Sequence, residues 1–347
     1  MLTSFSVIVP VFNRERLLER TFASIASQEI HKPAEIALQL VVVDNGSSDG
    51  SADLARHLAD KYGREGLSTE VINCPERGAA RARNAGFEAA TGDFVLFFDS
   101  DDELAPGTLQ AYAEAFSGPE RPDLVAGTSL TQFPDGRTWR RGHRSGSMLL
   151  NQLNHSILIS ESFAARRELL ERVARENSGH LWNPELRIWD DWELGMRILL
   201  AAPSTVRIDH CLTLIHAHSE SISGSHYSDR DFSLYEQAIT AAERAVMRSE
   251  SPEKERLMRW FLYRRMMLAG LFAAESRTLF RSDRLTADQA EALYAESQRI
   301  RRDVMRMARK APYREYGNAT LRPALRFAYN YVSRGFRGCA SLLRPLL

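Results

Sequence analysis

Short unbroken apolar runs alternate along the first hundred residues with stretches in which apolar positions recur every three or four residues, the pattern of buried strands and one-faced helices. Phe5 to Asn13 predicts a strand, broken near its carboxyl end by Pro10. Arg14 to Gln28 follows with Leu17, Leu18, Phe22 and Ile25 at helical spacing. Leu38 to Val43 predicts a second strand, closed by Asp44-Asn45-Gly46-Ser47-Ser48-Asp49-Gly50, a loop of turn formers and helix N-caps. Leu54, Leu58 and Tyr62 mark a second helix, Thr69 to Asn73 a third strand, and Arg77 to Gly86 an Ala-rich helix start. Phe94 to Phe98 is apolar throughout, with Gly92 before it and acids after it, as expected of a strand covered on both faces. Further on, the pattern predicts a helix over Leu104 to Phe116, a strand over Asp123 to Phe133 with a turn at Pro134-Asp135-Gly136, and a helix over Ser160 to Asn177. Another helix starts at Trp189-Asp190-Asp191-Trp192, Thr205 to His218 reads as a strand, and beyond about Asp229 the pattern is helical.

Strand and helix alternate three times at βαβ spacing, which predicts a doubly wound α/β nucleotide-binding sheet. Ligands bind such sheets at the carboxyl ends of the strands. Phe12, Asp44, Asn45, Asp99 and Asp101 should therefore share one rim, although they lie far apart in sequence. Asp99, Asp101 and Asp102 place three carboxylates within four residues, and these repel one another unless a cation stands among them. Mg²⁺ or Mn²⁺ suits such oxygen ligands, with phosphate oxygens completing the shell. A solvated acidic turn capping the next helix is the other reading of the same acids.

Composition changes the picture in three places. A chain of 347 residues, 44% hydrophobic and 26% charged, suits two soluble domains. Its 45 basic and 45 acidic residues balance, yet from Arg301 onward eleven Lys and Arg face two acids, so that tail is about +9 and the rest about −9. Cys74, Cys211 and Cys339 form an odd, scattered set without C-x-x-C, which points to a reducing compartment and away from a disulfide framework or zinc site. Ser145 to Ser160, the longest window free of Asp, Glu, Lys and Arg, is too short and polar to span a bilayer, and no secretory leader is apparent. The expectation is a cytoplasmic protein, attached at most to the inner membrane surface.

Six segments together resemble the family 2 glycosyltransferases of the GT-A fold. They are Val9 to Asn13, Val43 to Asp49, Gly78 to Gly86 with Ala80-Arg81-Ala82-Arg83-Asn84, Asp99-Ser100-Asp101-Asp102, Asp190-Asp191 between tryptophans, and His218 to Ser223. They stand in the family's order and at its separations across roughly residues 4 to 224. The resemblance implies transfer of a sugar from a nucleoside diphosphate donor with inversion at the anomeric carbon. It implies that Pro10 and Phe12 line the base site and that Asp44 with Asn45 reads the pyrimidine edge, Asn13 and Ser100 lying in the same donor motifs. Asp99 would lie near the ribose and metal, Asp101 would ligate Mn²⁺ or Mg²⁺ with His218 near the metal or diphosphate, and Asp191 would be the general base. One of Arg81 and Arg83 would meet the diphosphate; solvated helix charges are the alternative. Asp190 and Asp191 could also merely favour the positive end of their helix, worth about 0.3 to 1 kcal/mol. For His210 and His216 strand packing is the expectation. Two departures bear on specificity. Asn45 stands where the family often has a second aspartate, which leaves UDP, dTDP and GDP donors open, and the Tyr-Arg pair common before His218 is missing.

The expected division is a GT-A catalytic domain over 1–225, with donor binding in about 1–102 and acceptor binding and the base in 103–225, followed by a helical extension over 226–347. Arg322 to Leu347 mixes leucine and aromatics with five arginines, which fits either an interfacial helix on an anionic membrane or a basic helix folded back on the protein. The acceptor is expected to be a hydroxyl, lipid-linked in the most specific version of the reading. A cell-surface polysaccharide, lipopolysaccharide or glycolipid is the expected product, and a protein or small-molecule acceptor or a non-catalytic nucleotide-sugar-binding subunit are the rivals. No nucleic-acid motif accompanies the basic tail, and the oligomeric state is left open.

Overall fold

The computed structural model describes residues 3–28, 36–142, 144–218, 231–317 and 320–335. Ser219 to Ser223, His143, Cys339 and the last part of the basic tail lie outside them. The chain divides into two units, residues 1–148 with 156–221, and residues 149–155 with 222–347.

In the first unit β1 (Thr3–Val11), β2 (Ile36–Asp44), β3 (Leu67–Asn73) and β4 (Phe94–Phe97) run parallel in the order β3-β2-β1-β4. The helices α1 (Leu18–Ala26), α2 (Ser51–Lys61) and α3 (Ala79–Ala89) make the crossovers. Each of Phe94 to Phe98 is buried, as the unbroken apolar run requires. Pro10 does not end β1. The strand continues to Val11 in register with Asp44, while the pairing of β1 with β4 stops at Ile8 and Phe97. The missing Pro10 N–H therefore falls where the ladder toward β4 has ended. Gly86 explains how closely α3 sits on the sheet, since a Cβ there would lie 2.3 Å from Ile8 Cγ2 and 3.0 Å from Val43 Cγ2.

The sheet continues through a mixed half. β5 (Glu103–Leu104) precedes α4 (Thr108–Ser117), β6 (Leu124–Gln132) and β7 (Thr138–Arg141) form a hairpin, and α5 (Met148–His155) leads to β8 (Phe163–Arg166), α6 (Arg167–Arg175), α7 (Asp190–Leu200) and β9 (Thr205–His216). The full order is β3-β2-β1-β4-β8-β6-β9-β5, with β7 on β6. Two predicted helices begin later than their apolar spacing implied. Glu103 and Leu104 pair with Leu214 and Thr213 of β9, so α4 starts only after Gly107, which adopts φ +77°. Phe163 to Arg166 is a strand inserted antiparallel between β4 and β6, and the helical period belongs to Leu169, Leu170 and Val173 of α6 alone.

In the second unit α8 (Phe232–Arg248), α9 (Lys254–Arg281), α10 (Ala287–Met307), α11 (Tyr313–Tyr316) and α12 (Leu321–Ser333) assemble around α9. Arg264 of α9 donates to the Leu153 carbonyl, which ties the α5 segment to this unit. The side chains of Leu321, Ala324, Leu325, Ala328, Tyr329 and Val332 are buried, with Val332 against Gly270 of α9. The apolar stripe of the basic helix is thus packed inside its own unit over the described residues, and Phe327 is left exposed. No described helix is long and apolar enough to cross a membrane.

Candidate active site

The loops after β1 and β2 are tied together first. Asn13, held at φ +52°, donates its N–H to Ser47 Oγ at 3.1 Å and accepts from the Ser48 N–H at 2.8 Å through Oδ1. Asp44 accepts the Ser47 N–H at 3.3 Å. Phe12 stands 39% exposed at this rim, with the Arg77 guanidinium 4.5 Å from its ring centroid. Asn45 departs from the expected role. Its Nδ2 donates to the carbonyls of Cys74 at 3.0 Å and Glu76 at 2.8 Å, and its Oδ1 accepts the Gly78 N–H at 2.8 Å. The amide is buried and braces the loop that launches α3, so it is turned away from a base edge.

At the end of β4 the acids separate into two layers. Asp101 faces outward and meets His218 Nε2 at 3.0 Å and Arg14 Nη2 at 3.5 Å, both through Oδ2. Arg20 donates to the Asp101 carbonyl at 2.5 Å. Asp102 faces inward, accepting the His216 N–H at 2.7 Å, and shares a hydrogen bond with Glu161, which in turn accepts the Asp99 N–H at 3.1 Å. Burial pushes Asp102 up to about 7 and Glu161 well above the carboxylate range, so Glu161 keeps its proton and donates it to Asp102. His216 is therefore more than strand packing: its ring meets Glu103 at 2.8 Å. His210 is exposed on β9.

Among the described residues no three His, Cys, Asp or Glu side chains converge as a ready-made metal cage. Asp101 Oδ2 and His218 Nε2 instead lie 3.0 Å apart, a pair that would fit an ion completed by diphosphate oxygens rather than one enclosed by protein.

Helix α3 joins this layer to the next. Arg83 Nη2 lies 2.7 Å from Asp99 Oδ1 and its Nη1 lies 2.9 Å from Asp190 Oδ2, with the guanidinium 4.5 Å from the Trp182 ring centroid. Burial works against its charge, but Asp99 and Asp190 outweigh it and hold the group ionised. Asn84 donates to the Trp182 carbonyl and accepts its N–H, each at 2.8 Å. Arg81 points elsewhere, to Glu76 at 2.8 Å and Glu185 at 3.9 Å. Of the two arginines, Arg83 is the one beside Asp99. Ser100 is buried under the turn, and Pro10 is half-buried at the end of β1.

Helix α7 opens at Trp189, a non-glycine residue at φ +56°, with Asp190, Asp191 and Glu193 in its first turn. Trp189 and Trp192 pack with ring centroids 5.6 Å apart. Asp191 Oδ1 accepts the Trp192 N–H at 2.7 Å. Burial, helped by the Asp190 carboxylate, pushes Asp191 up to about 6 against the opposing charges of Arg83 and Arg141. A carboxylate with that proton affinity is a better base at neutral pH than an ordinary aspartate. The residues that sequence reasoning missed are Arg14, Glu161, Trp182 and the bridging role of Asp190. Glu161 had a faint signal as the first acid after the long charge-free window, while Arg14 and Trp182 had none.

A parallel β3-β2-β1-β4 half-sheet, an acidic turn at its carboxyl edge and a mixed second half define a GT-A type glycosyltransferase fold. The family described as Glycosyl transferase family 2 matches residues 6–174 of the chain. It is 33% identical over 179 residues to an uncharacterized glycosyltransferase of Nostoc sp., a match that covers 48% of this chain and 52% of that one. The chain thus spans about half the length of that relative. It is also 28% identical over 293 residues to the succinoglycan biosynthesis protein ExoU of Rhizobium meliloti, covering 75% of this chain and 78% of that protein. Among solved structures it resembles TarS 1-349 of S. aureus with a TM-score of 0.63 at 20% identity, over 96% of this chain and 91% of that one. It also resembles the mannosyltransferase PcManGT of Pyrobaculum calidifontis, in complex with GDP-Man and Mn2+, with a TM-score of 0.51 at 21% identity, over 96% and 88% of the two chains. At such identities the likeness concerns the fold.

Proposed function

We propose that this chain is an inverting glycosyltransferase that moves a sugar from a nucleoside diphosphate sugar to an acceptor hydroxyl, in the assembly of a cell-surface polysaccharide or glycolipid. The observation that carries the reading is the Arg83 bridge. One guanidinium holds Asp99, at the end of the strand that bears Asp101, and Asp190, next to Asp191. A donor-side acid and a basic carboxylate thereby belong to one site.

In this reading Phe12 and Asp44 hold the nucleoside at the β1–β2 rim, and Asp101 with His218 would hold Mn²⁺ or Mg²⁺. The ion, when bound, supplies charge to the diphosphate as it leaves. Arg14 adds a second positive charge beside Asp101 and can turn to a phosphate oxygen. Asp191 takes the proton of the acceptor hydroxyl, which is too weak a nucleophile without a base. Proton removal on one side and a leaving diphosphate on the other correspond to a single displacement with inversion. The likeness to ExoU, a succinoglycan biosynthesis protein, supports a polysaccharide product. The TarS complex with UDP-GlcNAc and the PcManGT complex with GDP-Man keep uridine and guanosine donors both in view.

The test is a screen of donor hydrolysis across nucleotide sugars, with and without Mn²⁺, followed by transfer assays on the donor that reacts. Asp191→Asn should lower transfer by about 10² to 10⁴-fold, while nucleotide affinity stays within about threefold of wild type. Transfer by that variant at the wild-type rate would show that another group is the base.

A further inference from the structure

The β6–β7 hairpin stands beside this site, and its only contribution so far is the charge of Arg141. β7 extends the carboxyl half of β6, placing Trp139 opposite Thr131 and Arg141 opposite Ser129. The other edge of that same stretch of β6 carries the end of β9, where Gln132 pairs with His216, the residue that holds Asp102 and Glu103. Hairpin and acidic turn thus share one end of the sheet. Trp139 and Arg141, two residues apart on a strand, lie on one face. The Arg141 guanidinium is 4.9 Å from the Trp139 ring centroid and donates to the Ser156 carbonyl at 2.8 Å. Its charge also acts to lower the proton affinity of Asp191.

Two further features give the hairpin a chemical preference. Trp139 is 51% exposed, the largest exposure among the bulky apolar side chains described. Residues 137–144 carry four arginines and no acid, and Asp135 lies on Arg137 and Asp209 on Arg140. Arginine donates hydrogen bonds and accepts none. A neutral sugar needs acceptors for its hydroxyl protons, and a strip made of donors suits an oxyanion better. The indole face suits the C–H face of a pyranose.

We propose that the β6–β7 hairpin is the acceptor subsite, and that the acceptor is a saccharide carrying an oxyanion, either phosphate or carboxylate, near the hydroxyl that is glycosylated. Trp139 stacks on the sugar and the arginines, Arg141 foremost, take the anion. The inference rests on the glycosyltransferase reading and adds a class of acceptor to it.

The test uses the full chain saturated with UDP and Mn²⁺, so that the donor side is occupied. Glucose 1-phosphate, glucuronate and uncharged methyl glucoside are titrated while the Trp139 indole N–H resonance, assigned through Trp139→Phe, is followed. Both anionic sugars should shift that resonance and bind at least tenfold more tightly than methyl glucoside. Arg141→Gln should remove most of that preference, and Trp139→Ala, a change at an exposed position that is followed by calorimetry because it removes the reporter, should weaken all three sugars. A response to glucose 1-phosphate alone would assign the anion as phosphate, and to glucuronate alone as carboxylate, both within the proposal. Equal affinities for charged and neutral sugars, or anionic sugars that bind without moving the Trp139 signal, would overturn it. Failure of UDP, GDP and dTDP alike to bind would instead bring down the glycosyltransferase reading together with the subsite, whereas failure of UDP alone moves the titration to the nucleotide that binds.

Discussion

At Asp191 two opposing influences set the proton affinity: burial and the Asp190 carboxylate raise it, Arg83 and Arg141 lower it, and the result is about 6. The proposed role of Asp191 as base needs its unprotonated form, so kcat/KM should fall as pH drops through about 6, approaching tenfold per unit below it, and level off above. A rate–pH profile on the reactive donor checks this, and a flat profile from pH 5 to 8 would remove Asp191 as base. The Glu161–Asp102 pair has the reverse linkage to stability. Both carboxyls titrate higher in the folded chain than in the unfolded one, so between about pH 4 and the folded values the native state binds more protons. Its stability therefore falls as pH rises. Glu161→Gln keeps an acceptor for the Asp99 N–H and offers an amide N–H to Asp102. In EDTA its Tm should fall less between pH 5 and pH 8 than that of wild type, and a steeper fall would contradict the shared proton. Asp191 and Asp101 could be singled out in the sequence because their motifs put acids next to a strand end and a helix start. Asn45 was misread because motif position does not tell whether an amide faces a ligand or its own loop.

Among the elements, α3 carries the coupling. Its N-terminal half places Arg83 on Asp99 and Asp190, and Asn84 clamps the Trp182 backbone in both directions. That clamp fixes the segment leading to α7, whose entry at Trp189 needs a left-handed residue that strands of ordinary sequence seldom supply. Asn84→Ala leaves a buried N–H and carbonyl unpaired, at a cost of about 1–3 kcal/mol each way. Its effect should fall on α7: transfer drops at least tenfold, while nucleotide affinity, which the proposed reading assigns to the β1–β2 rim, stays close to wild type. Calorimetric UDP binding beside transfer rates separates the two, and a parallel loss of both would place Asn84 in donor binding instead. The parallel strands were readable in advance since their cores are continuous apolar runs. β5 and β8 were not, because a two-residue strand has no period and Phe163-Ala164-Ala165 fits a helix as well as a buried strand until its neighbours are known.

Over the whole chain, the sequence motifs stop near residue 224 and the helical unit has to be understood from packing alone. Its centre is Arg265, almost wholly buried on α9, with Nε 2.8 Å from Glu236 Oε1, Nη2 3.0 Å from Glu243 Oε2, and Nη1 3.1 Å from the Tyr313 hydroxyl. Three helices, α8, α9 and α11, thus meet on one guanidinium, whose charge Glu243 and Glu236 sustain against the cost of burial. From sequence this arginine was one of several mixed among apolar residues, indistinguishable from the half-buried Arg259 and Arg264 near it. Removing it leaves the mostly buried Glu243 and the one-third exposed Glu236 without their counter-charge, so Arg265→Ala should destabilise the helical unit by about 3–5 kcal/mol. Adding Glu236→Gln and Glu243→Gln to Arg265→Met should restore most of that, since the stranded charges are gone and the aliphatic volume is kept. Thermal unfolding of the single and triple variants distinguishes this from simple loss of packing, in which case the triple variant would unfold at or below the temperature of the single one.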